Sequence, residues 1–317
     1  MVEISSVKKI SVVIPVYNRA EWIGKTLDRI FSQKHDVFEV VICDDGSTDA
    51  LADALELYGA KIKLITITNS GPAIARKSAI EGATGEWIAL CDSDDFWLEN
   101  HLTCFLDALD LFPEMNFYFS DFYASDVPEH SKLENAPDGW LAGLDSEESP
   151  CTDYIKCNNE LYSALLKFQP CFQSACLFRR DLYEQVGGID PAVSRWPSED
   201  FHLTIRLAAA GRGIICTVPT VIINKHDQNF SADILGNFEG RIDILEKIIL
   251  DSSVGTNLIQ KTQTEVETSN LELFRLYYWH DHYRGMRDRF RRTPRKYLCF
   301  KDYLRLLKAV IVETSFK

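Results

Sequence analysis

The sequence lacks several patterns that identify common classes of protein. No window approaches the roughly 20 apolar residues of a membrane-spanning helix, and residues 1–9 do not have the charged-then-apolar order of a signal peptide. We find no internal repeat and no low-complexity tract. The 317 residues are 46% hydrophobic and 26% charged, a composition typical of globular proteins. We therefore expect a folded protein without a spanning segment.

The cysteines lack the pattern of a disulfide or zinc framework. Nine cysteines, an odd number, are scattered along the chain, and Cys43, Cys91, Cys176 and Cys216 lie inside apolar runs. Such thiols are typical of buried positions in a reducing compartment. The short paired spacing of a structural zinc site is missing. These observations predict a cytoplasmic location.

Charge excludes a further class of partner. The net charge is −13, but residues 275–317 hold 12 Lys/Arg against 4 Asp/Glu, leaving 22 against 43 for the rest of the chain. A strongly acidic body makes nucleic acid an unsuitable partner. The nucleophile elbow, the Walker loop, the dinucleotide fingerprint and the His-Glu-x-x-His motif are also missing.

What the chain does have is a regular alternation of strand and helix over its first 120 residues. Apolar, β-branched runs predict strands at 10–16, 37–43, 61–66, 86–91 and 116–122. Helical spacing predicts helices at 20–33, 50–58, 73–82 and 101–111, and the second of these has Ser47 or Thr48 as a candidate cap. This order is typical of a mostly parallel sheet with helices on both faces.

Later residues follow a less regular pattern. Residues 124–160 form an acidic, turn-rich loop, which we expect to have a functional role because loops of this length are uncommon in compact domains. A strand at 169–179, helices at 180–186 and 198–210, and short strands at 213–218 and 220–224 are predicted next. From about residue 235 the pattern is helical, with an amphipathic helix at 296–312.

Polar clusters follow three of the predicted strands. They occupy residues 15–18, 44–49 and 92–95, so all three should lie at the carboxyl edge of the sheet, where such sheets bind ligands. Asp92, Asp94 and Asp95 repel one another, and a divalent cation such as Mg²⁺ or Mn²⁺ relieves that repulsion. The alternative is an acidic turn that caps a helix beginning near Leu98, a role most suited to Asp95.

Several motifs in a fixed order resemble one family. They are Ser11-Val12-Val13-Ile14-Pro15-Val16-Tyr17-Asn18, Asp44-Asp45-Gly46-Ser47-Thr48-Asp49, Ala75-Arg76, Asp92-Ser93-Asp94-Asp95 and Ser198-Glu199-Asp200. Together they resemble the family-2 inverting glycosyltransferases with a GT-A fold, over about residues 8–230. The resemblance implies an α/β, Rossmann-like, mostly parallel sheet flanked by helices in residues 1–232. Its nucleotide-sugar half would cover about 8–122 and its acceptor half 123–232, and residues 233–317 would form a helical extension, basic from about 275.

The resemblance also implies donor-binding residues. Pro15, Tyr17 and Asn18 would form the first loop, with Tyr17 stacking on the nucleobase, although an aromatic residue after a strand is commonly packing. Asp44, in preference to its neighbour Asp45, would accept a hydrogen bond from the base. Two further donor-binding residues would be Arg76 and Asp92, which would lie near the nucleotide and the ribose; a solvated helix-face arginine is the alternative for Arg76.

Metal and catalytic residues are implied in the same way. Asp94 and His226 would bind Mn²⁺ or Mg²⁺ beside the diphosphate, although an isolated histidine is often only exposed or structural. Asp200 would be the general base that deprotonates the acceptor hydroxyl. Its alternative role is to favour the start of a helix through the dipole.

The expected function is metal-dependent, inverting transfer of a sugar from a nucleoside diphosphate donor, a UDP-sugar, to a hydroxyl of a glycan or glycolipid. The acceptor would meet residues 124–160 and 169–176. Alternatives are a catalytically silent nucleotide-sugar-binding partner protein and a nucleotidyltransferase. The basic residues 275–317 would contact an anionic membrane surface at the inner face of the cell membrane, or pack on the acidic body or a second copy of the chain.

Overall fold

The computed structural model of the chain describes residues 8–146, 151–225 and 233–315. They fall into two compact units, one within Met1–Asn229 and the other within Phe230–Lys317. None of the described helices combines the length and apolar character needed to cross a membrane. All nine cysteines are free thiols, and six of them are buried.

The described part of the first unit contains ten strands. They are β1 Ile10–Val16, β2 Glu39–Asp44, β3 Ile62–Thr66, β4 Trp87–Leu90, β5 Phe96–Trp97, β6 Phe117–Ala124, β7 Val127–Ser131, β8 Tyr154–Lys156, β9 Cys176–Arg179 and β10 Gly213–Ile223. Of these, β1, β2, β3, β4 and β6 lie close to the predicted positions, whereas β5, β7 and β8 were not predicted. The helices are α1 Ala20–Phe31, α2 Leu51–Glu56, α3 Pro72–Gly82, α4 His101–Leu111, α5 Leu161–Leu165, α6 Arg180–Gln185 and α7 Glu199–Ala210.

One sheet runs through the first unit in the order β3-β2-β1-β4-β9-β6-β10-β5. Strands β3, β2, β1 and β4 pair in parallel, as do β6 and β10, while β9 joins the two groups by antiparallel pairing. The predicted α/β class with a Rossmann-like parallel sheet is confirmed. The antiparallel β9 was not predicted, because strand direction depends on pairing between distant segments.

Aromatic side chains fill the core of this unit. Trp87 of β4 packs edge-on against Phe105 of α4 with ring centroids 4.8 Å apart, and Phe105 packs in the same way on Tyr118 of β6 at 5.4 Å. All three are almost completely buried. Their burial anchors β4 and β6 and thereby holds the loop that follows β4 in place.

Several predicted boundaries were wrong. The strand predicted at 169–179 covers only Cys176–Arg179, preceded by a 3₁₀ turn at Gln173–Ala175. The long loop at 124–160 contains β7 and β8, and the two short strands after residue 213 are one strand, β10, with a register irregularity near Pro219. Short pairings of this kind leave little hydrophobic periodicity in the sequence.

The second unit is helical, as predicted. It consists of α8 Ile234–Ile249, α9 Thr256–Trp279, α10 Tyr283–Arg292 and α11 Phe300–Ser315, with a 3₁₀ turn at Arg295–Tyr297. The last helix therefore begins four residues later than predicted.

Candidate active site

The loop between β1 and α1 is held by the loop that follows β2. Asn18 has a φ of 50°, an uncommon backbone conformation for a residue with a side chain. Its N–H donates to Ser47 Oγ at 2.9 Å, and its Oδ1 accepts from the Thr48 N–H at 2.8 Å. Asp49 Oδ2 accepts a hydrogen bond from the Ala20 N–H at 2.8 Å, which gives a partner to a backbone donor in the first turn of α1.

The structure of this loop corrects two predictions. Ser47 and Thr48 do not cap α2, whose first residue follows Ala50 without a side-chain cap; they fix the first loop instead. Pro15 is not in that loop, because it lies buried within β1 opposite Cys43. Tyr17 does lie in the loop, and its side chain is 45% exposed.

Adjacent carboxylates Asp44 and Asp45 have different environments. Asp44 ends β2, is partly exposed, and accepts only a turn-forming bond among those described, from the Ser47 N–H at 2.8 Å. Asp45 is buried and accepts from the N–H groups of Ser70 at 2.6 Å and Gly71 at 2.8 Å. Asp45 is therefore an internal anchor for the loop before α3, whereas Asp44 remains accessible to a ligand.

Gly71, in the loop before α3, lies very close to Ser194. Its φ of +94° favours glycine, and a Cβ there would approach Ser194 Oγ to 2.8 Å. The same Ser194 Oγ accepts from the Ile74 N–H at 3.0 Å, satisfying a donor in the first turn of α3. The N-terminal end of α3 is thus held by Asp45 and Ser194, which are far apart in the sequence, and this helix carries Arg76.

Arg76 is the central cation of the site. Its guanidinium is buried and donates from Nη1 to Glu199 Oε1 and Oε2 at 2.9 and 3.2 Å, and from Nη2 to Asp92 Oδ1 at 3.1 Å. The arginine side chain is 4% exposed, against 11% for Glu199 and 28% for Asp92. A solvated helix-face arginine was therefore the wrong alternative. Arg76 joins the cluster after β4 to the start of α7.

The three carboxylates after β4 divide into different roles. Asp95 is buried, accepting from Ser174 Oγ at 2.5 Å and from the Asn224 N–H at 2.9 Å. Burial, reinforced by the negative charges of Asp92 and Asp94, raises the pKa of Asp95 well above its usual range. The prediction that Asp95 caps the next helix is wrong, because α4 starts six residues later, after Asn100.

Asp94 faces a residue that sequence reasoning missed. Arg19 donates from Nε to Asp94 Oδ2 at 3.1 Å and from Nη1 to the Asn18 carbonyl at 3.2 Å. The available signal was a basic residue directly after a polar loop at a strand end. Arg19 brings the first loop and Asp94 together, as Arg76 brings together Asp92 and Glu199.

Asp200 is the second residue of α7, two positions after a residue with a strained backbone. Ser198 has a φ of 60°, a conformation that commonly occurs at functional sites. Burial raises the pKa of Asp200 above its usual value, although the charge of Arg76 opposes this shift. Burial likewise raises the pKa of Glu199 to about 7 despite its ion pair with Arg76. Both carboxyls of the Glu199-Asp200 motif are therefore more basic than ordinary ones.

The chemistry of this cluster fits a divalent cation whose remaining ligands come from a substrate. Asp92, Asp94 and Glu199 pair with the guanidinium groups of Arg19 and Arg76, and Asp95 and Asp200 are their neighbours in the sequence, so five carboxyl groups accompany two guanidinium groups. Within residues 8–146, 151–225 and 233–315, no three His, Cys, Asp or Glu side chains converge to hold an ion by themselves. Magnesium commonly binds through one or two carboxylates plus phosphate oxygens. The other predicted metal ligand, His226, lies outside the described residues.

Comparison with known proteins agrees with this architecture. The model of a family described as glycosyl transferase family 2 matches residues 11–187. The strand order and the carboxylate–arginine cluster after β4 define a GT-A-type α/β protein. This chain belongs to glycosyl transferase family 2, as predicted.

Individual relatives match parts of the chain. An uncharacterized glycosyltransferase of Rickettsia bellii is 35% identical over 43% of this chain and 20% of its own length. Another, alr2836 of Nostoc sp., is 31% identical over 66% of this chain and 59% of its own length. A UDP-Glc:alpha-D-GlcNAc-diphosphoundecaprenol beta-1,3-glucosyltransferase, WfgD of Escherichia coli, is 36% identical over 29% of this chain and 38% of its own length. The matched stretch thus spans only about a fifth of the first relative.

Solved structures show the same fold. Residues 1–349 of S. aureus TarS, in complex with UDP, superpose with a TM-score of 0.58 and 20% identity, and the match covers 82% of this chain and 70% of that TarS segment. The mannosyltransferase PcManGT from Pyrobaculum calidifontis, in complex with GDP-Man and Mn²⁺, superposes with a TM-score of 0.56 and 18% identity. The match covers 86% of this chain and 76% of the PcManGT chain. The predicted GT-A fold is confirmed.

Proposed function

We propose that this chain transfers a sugar from a nucleoside diphosphate donor, a UDP-sugar, to a hydroxyl of a glycan or glycolipid, with inversion at the anomeric carbon. The observation that carries the proposal is the Arg76 bridge, which holds Asp92 and the Glu199-Asp200 motif in one site. A donor-side carboxylate and a basic carboxylate are thereby held together, as a single displacement requires.

The donor would lie along the carboxyl ends of β1, β2 and β4. Tyr17 is exposed and can stack on the base, while the free side of Asp44 can accept a base N–H. Asn18 shapes the loop between them through its two bonds to the loop after β2. Asp92 would face the ribose. The relatives that support a UDP-linked donor are WfgD, by its printed name, and TarS, by its bound UDP.

Asp94, together with His226, would hold Mn²⁺ or Mg²⁺. The ion would neutralise charge on the departing diphosphate. Arg19 already contacts Asp94, so its guanidinium can orient this carboxylate and add positive charge beside the leaving group.

Asp200 would act as the general base. It would take the proton of the acceptor hydroxyl while the oxygen attacks the anomeric carbon from the face opposite the leaving group. Burial favours this role because the raised pKa of Asp200 strengthens it as a proton acceptor. Arg76 acts through Glu199 to fix the start of α7 and is a positioning residue.

The acceptor is proposed to be carried on a lipid, following the diphosphoundecaprenol in the name of WfgD. The acceptor half of the unit, from about residue 123, would bind it. Transfer would then take place from the cytoplasm at the inner face of the cell membrane, where a charged, water-soluble donor can meet a lipid-carried hydroxyl.

The test is to incubate the protein with a panel of UDP- and GDP-sugars, Mn²⁺ and lipid-linked acceptors, and to measure nucleoside diphosphate release. We expect Asp200→Asn to lower turnover by about 10²–10⁴-fold while leaving UDP binding intact. Asp53→Asn, on the exposed side of α2, is the control and should retain full activity. Unchanged turnover in Asp200→Asn would refute the assignment of the base. UDP binding without turnover of any donor would favour the silent nucleotide-sugar-binding protein.

A further inference from the structure

Helix α11 carries a stripe of exposed apolar side chains. The members and their exposed fractions are Phe300 76%, Tyr303 45%, Leu304 50%, Leu307 56% and Ile311 54%. At 100° per residue these five positions fall within an arc of about 100°. They expose roughly 500 Å² of side chain, as much as the largest patch of a typical monomer, and such a patch is often functional.

The opposite side of α11 is fixed within the second unit. Asp302 is buried and accepts two hydrogen bonds from Arg275, at 3.0 and 2.8 Å, and one from Arg305 at 2.7 Å. Although burial favours the neutral carboxyl, these bonds and the charge of Arg275 hold the pKa of Asp302 well below its usual range. Ala309 is also buried, seven residues further along the same side. The rotation of the helix is therefore set, and the apolar stripe faces outward.

Cationic side chains border the stripe. Lys301 and Lys308 lie within about 100° of Phe300 around the helix, on one flank of the stripe, and both are exposed. Residues 295–312 contain five Lys/Arg and a single acidic residue, Asp302, which is buried. Lys308 also lies 4.9 Å from the ring of Tyr278, whose neighbour Trp279 is 71% exposed at the end of α9. Apolar and basic groups are thus combined on one surface.

We propose that this stripe, with its flanking lysines, binds the surface of an anionic phospholipid bilayer, with α11 lying in the plane of the interface. A basic amphipathic helix inserts its apolar side among the acyl chains while its lysines meet the anionic headgroups. Pairing with the same stripe of a second copy would bring the cations of both helices together, which like-charge repulsion disfavours. Charge complementarity therefore selects an anionic lipid surface.

The test uses the full chain and vesicles of phosphatidylcholine alone or with 30% phosphatidylglycerol, in a co-sedimentation assay. We expect binding to the anionic vesicles to exceed binding to the neutral ones by about tenfold or more, and to weaken as salt is raised. The double variant Leu304→Gln/Leu307→Gln should reduce binding to anionic vesicles by about tenfold or more. Lys301→Gln/Lys308→Gln should reduce the preference for anionic vesicles and its salt dependence.

Leu57→Gln is the matched control. Leu57 is 90% exposed and belongs to the first unit, so this substitution should leave vesicle binding unchanged. Equal sedimentation with and without vesicles would overturn the proposal. So would equal binding to neutral and anionic vesicles, or a self-associated chain that dissociates on Leu304→Gln/Leu307→Gln without any vesicle binding. The assay contains neither donor nor acceptor, so its failure would count against membrane contact through α11 and would leave the proposed sugar transfer itself, which nucleoside diphosphate release tests, unaffected.

Discussion

The bridge made by Arg76 allows a quantitative prediction. Replacing Arg76 by Met keeps the apolar stem of the side chain and removes the guanidinium that pairs with Glu199 and Asp92. Two carboxylates, exposed by 11% and 28%, then face each other without compensation. Removing one partner of a buried ion pair typically costs about 3–5 kcal/mol. Because Asp92 is partly solvated, we expect a loss of about 3 kcal/mol in the free energy of unfolding at pH 8.

The stability lost in Arg76→Met should increase with pH. Burial raises the pKa of Glu199 to about 7 in the folded chain, from 4.5 for an ordinary glutamate. The stability that this carboxyl contributes in its protonated form is fully present below about pH 4.5 and is lost as the pH rises through about 7. Without the attraction of Arg76 the pKa rises further, so the deficit of Arg76→Met grows with pH. Near pH 5.5 the deficit should shrink to about 1 kcal/mol, the value of the lost hydrogen bonds.

Urea denaturation followed by circular dichroism at pH 5.5 and 8 measures both quantities. Lys77→Met is the matched control, because Lys77 lies on the same helix in an exposed pair with Glu81 and should change stability by less than about 0.5 kcal/mol. The double variant Arg76→Met/Glu199→Met should recover most of the loss at pH 8. The reasoning is refuted if Arg76→Met is no less stable than Lys77→Met at pH 8, or if its deficit is independent of pH.

Three further predictions concern other anchors and the general base. Asp45→Ala should cost about 2–3 kcal/mol in urea denaturation because the buried Gly71 N–H and the partly buried Ser70 N–H lose their acceptor, while Asp53→Ala should cost less than about 0.5 kcal/mol; equal effects would contradict the anchor role. If Asp200 is the base, the acid limb of the kcat/KM profile should have its midpoint above about pH 4, the value of an ordinary aspartate, because burial raises this pKa; a midpoint at or below about 4 would count against Asp200. Asp302→Asn should lower thermal stability most at neutral pH and less as the pH falls below about 4, because pairing with Arg275 lowers the pKa of Asp302; a deficit that grows in acid would exclude this ion pair as the cause.

The fold class and the location of the candidate site could be predicted from the sequence alone. Buried parallel strands are continuous apolar runs, and polar residues that interrupt them at strand ends converge on one edge because the strands share a direction. For this reason Asp44, Asp92 and Asp94 could be grouped before any contact was known. The helical second unit was likewise visible in the spacing of apolar residues beyond about residue 235.

Which polar side chains are anchors and which remain accessible could not be predicted, because it depends on contacts between distant parts of the chain. Asp44 and Asp45 are adjacent and chemically identical, but one is a partly exposed turn former and the other is buried against two backbone N–H groups. In the same way Asp95 is buried and accepts hydrogen bonds from Ser174 and from Asn224 at the end of β10. Arg76 pairs with Glu199, which is 123 residues away in the sequence. These differences arise because distant segments of the chain desolvate some of these side chains and pair with others. The sequence around each residue therefore does not predict them.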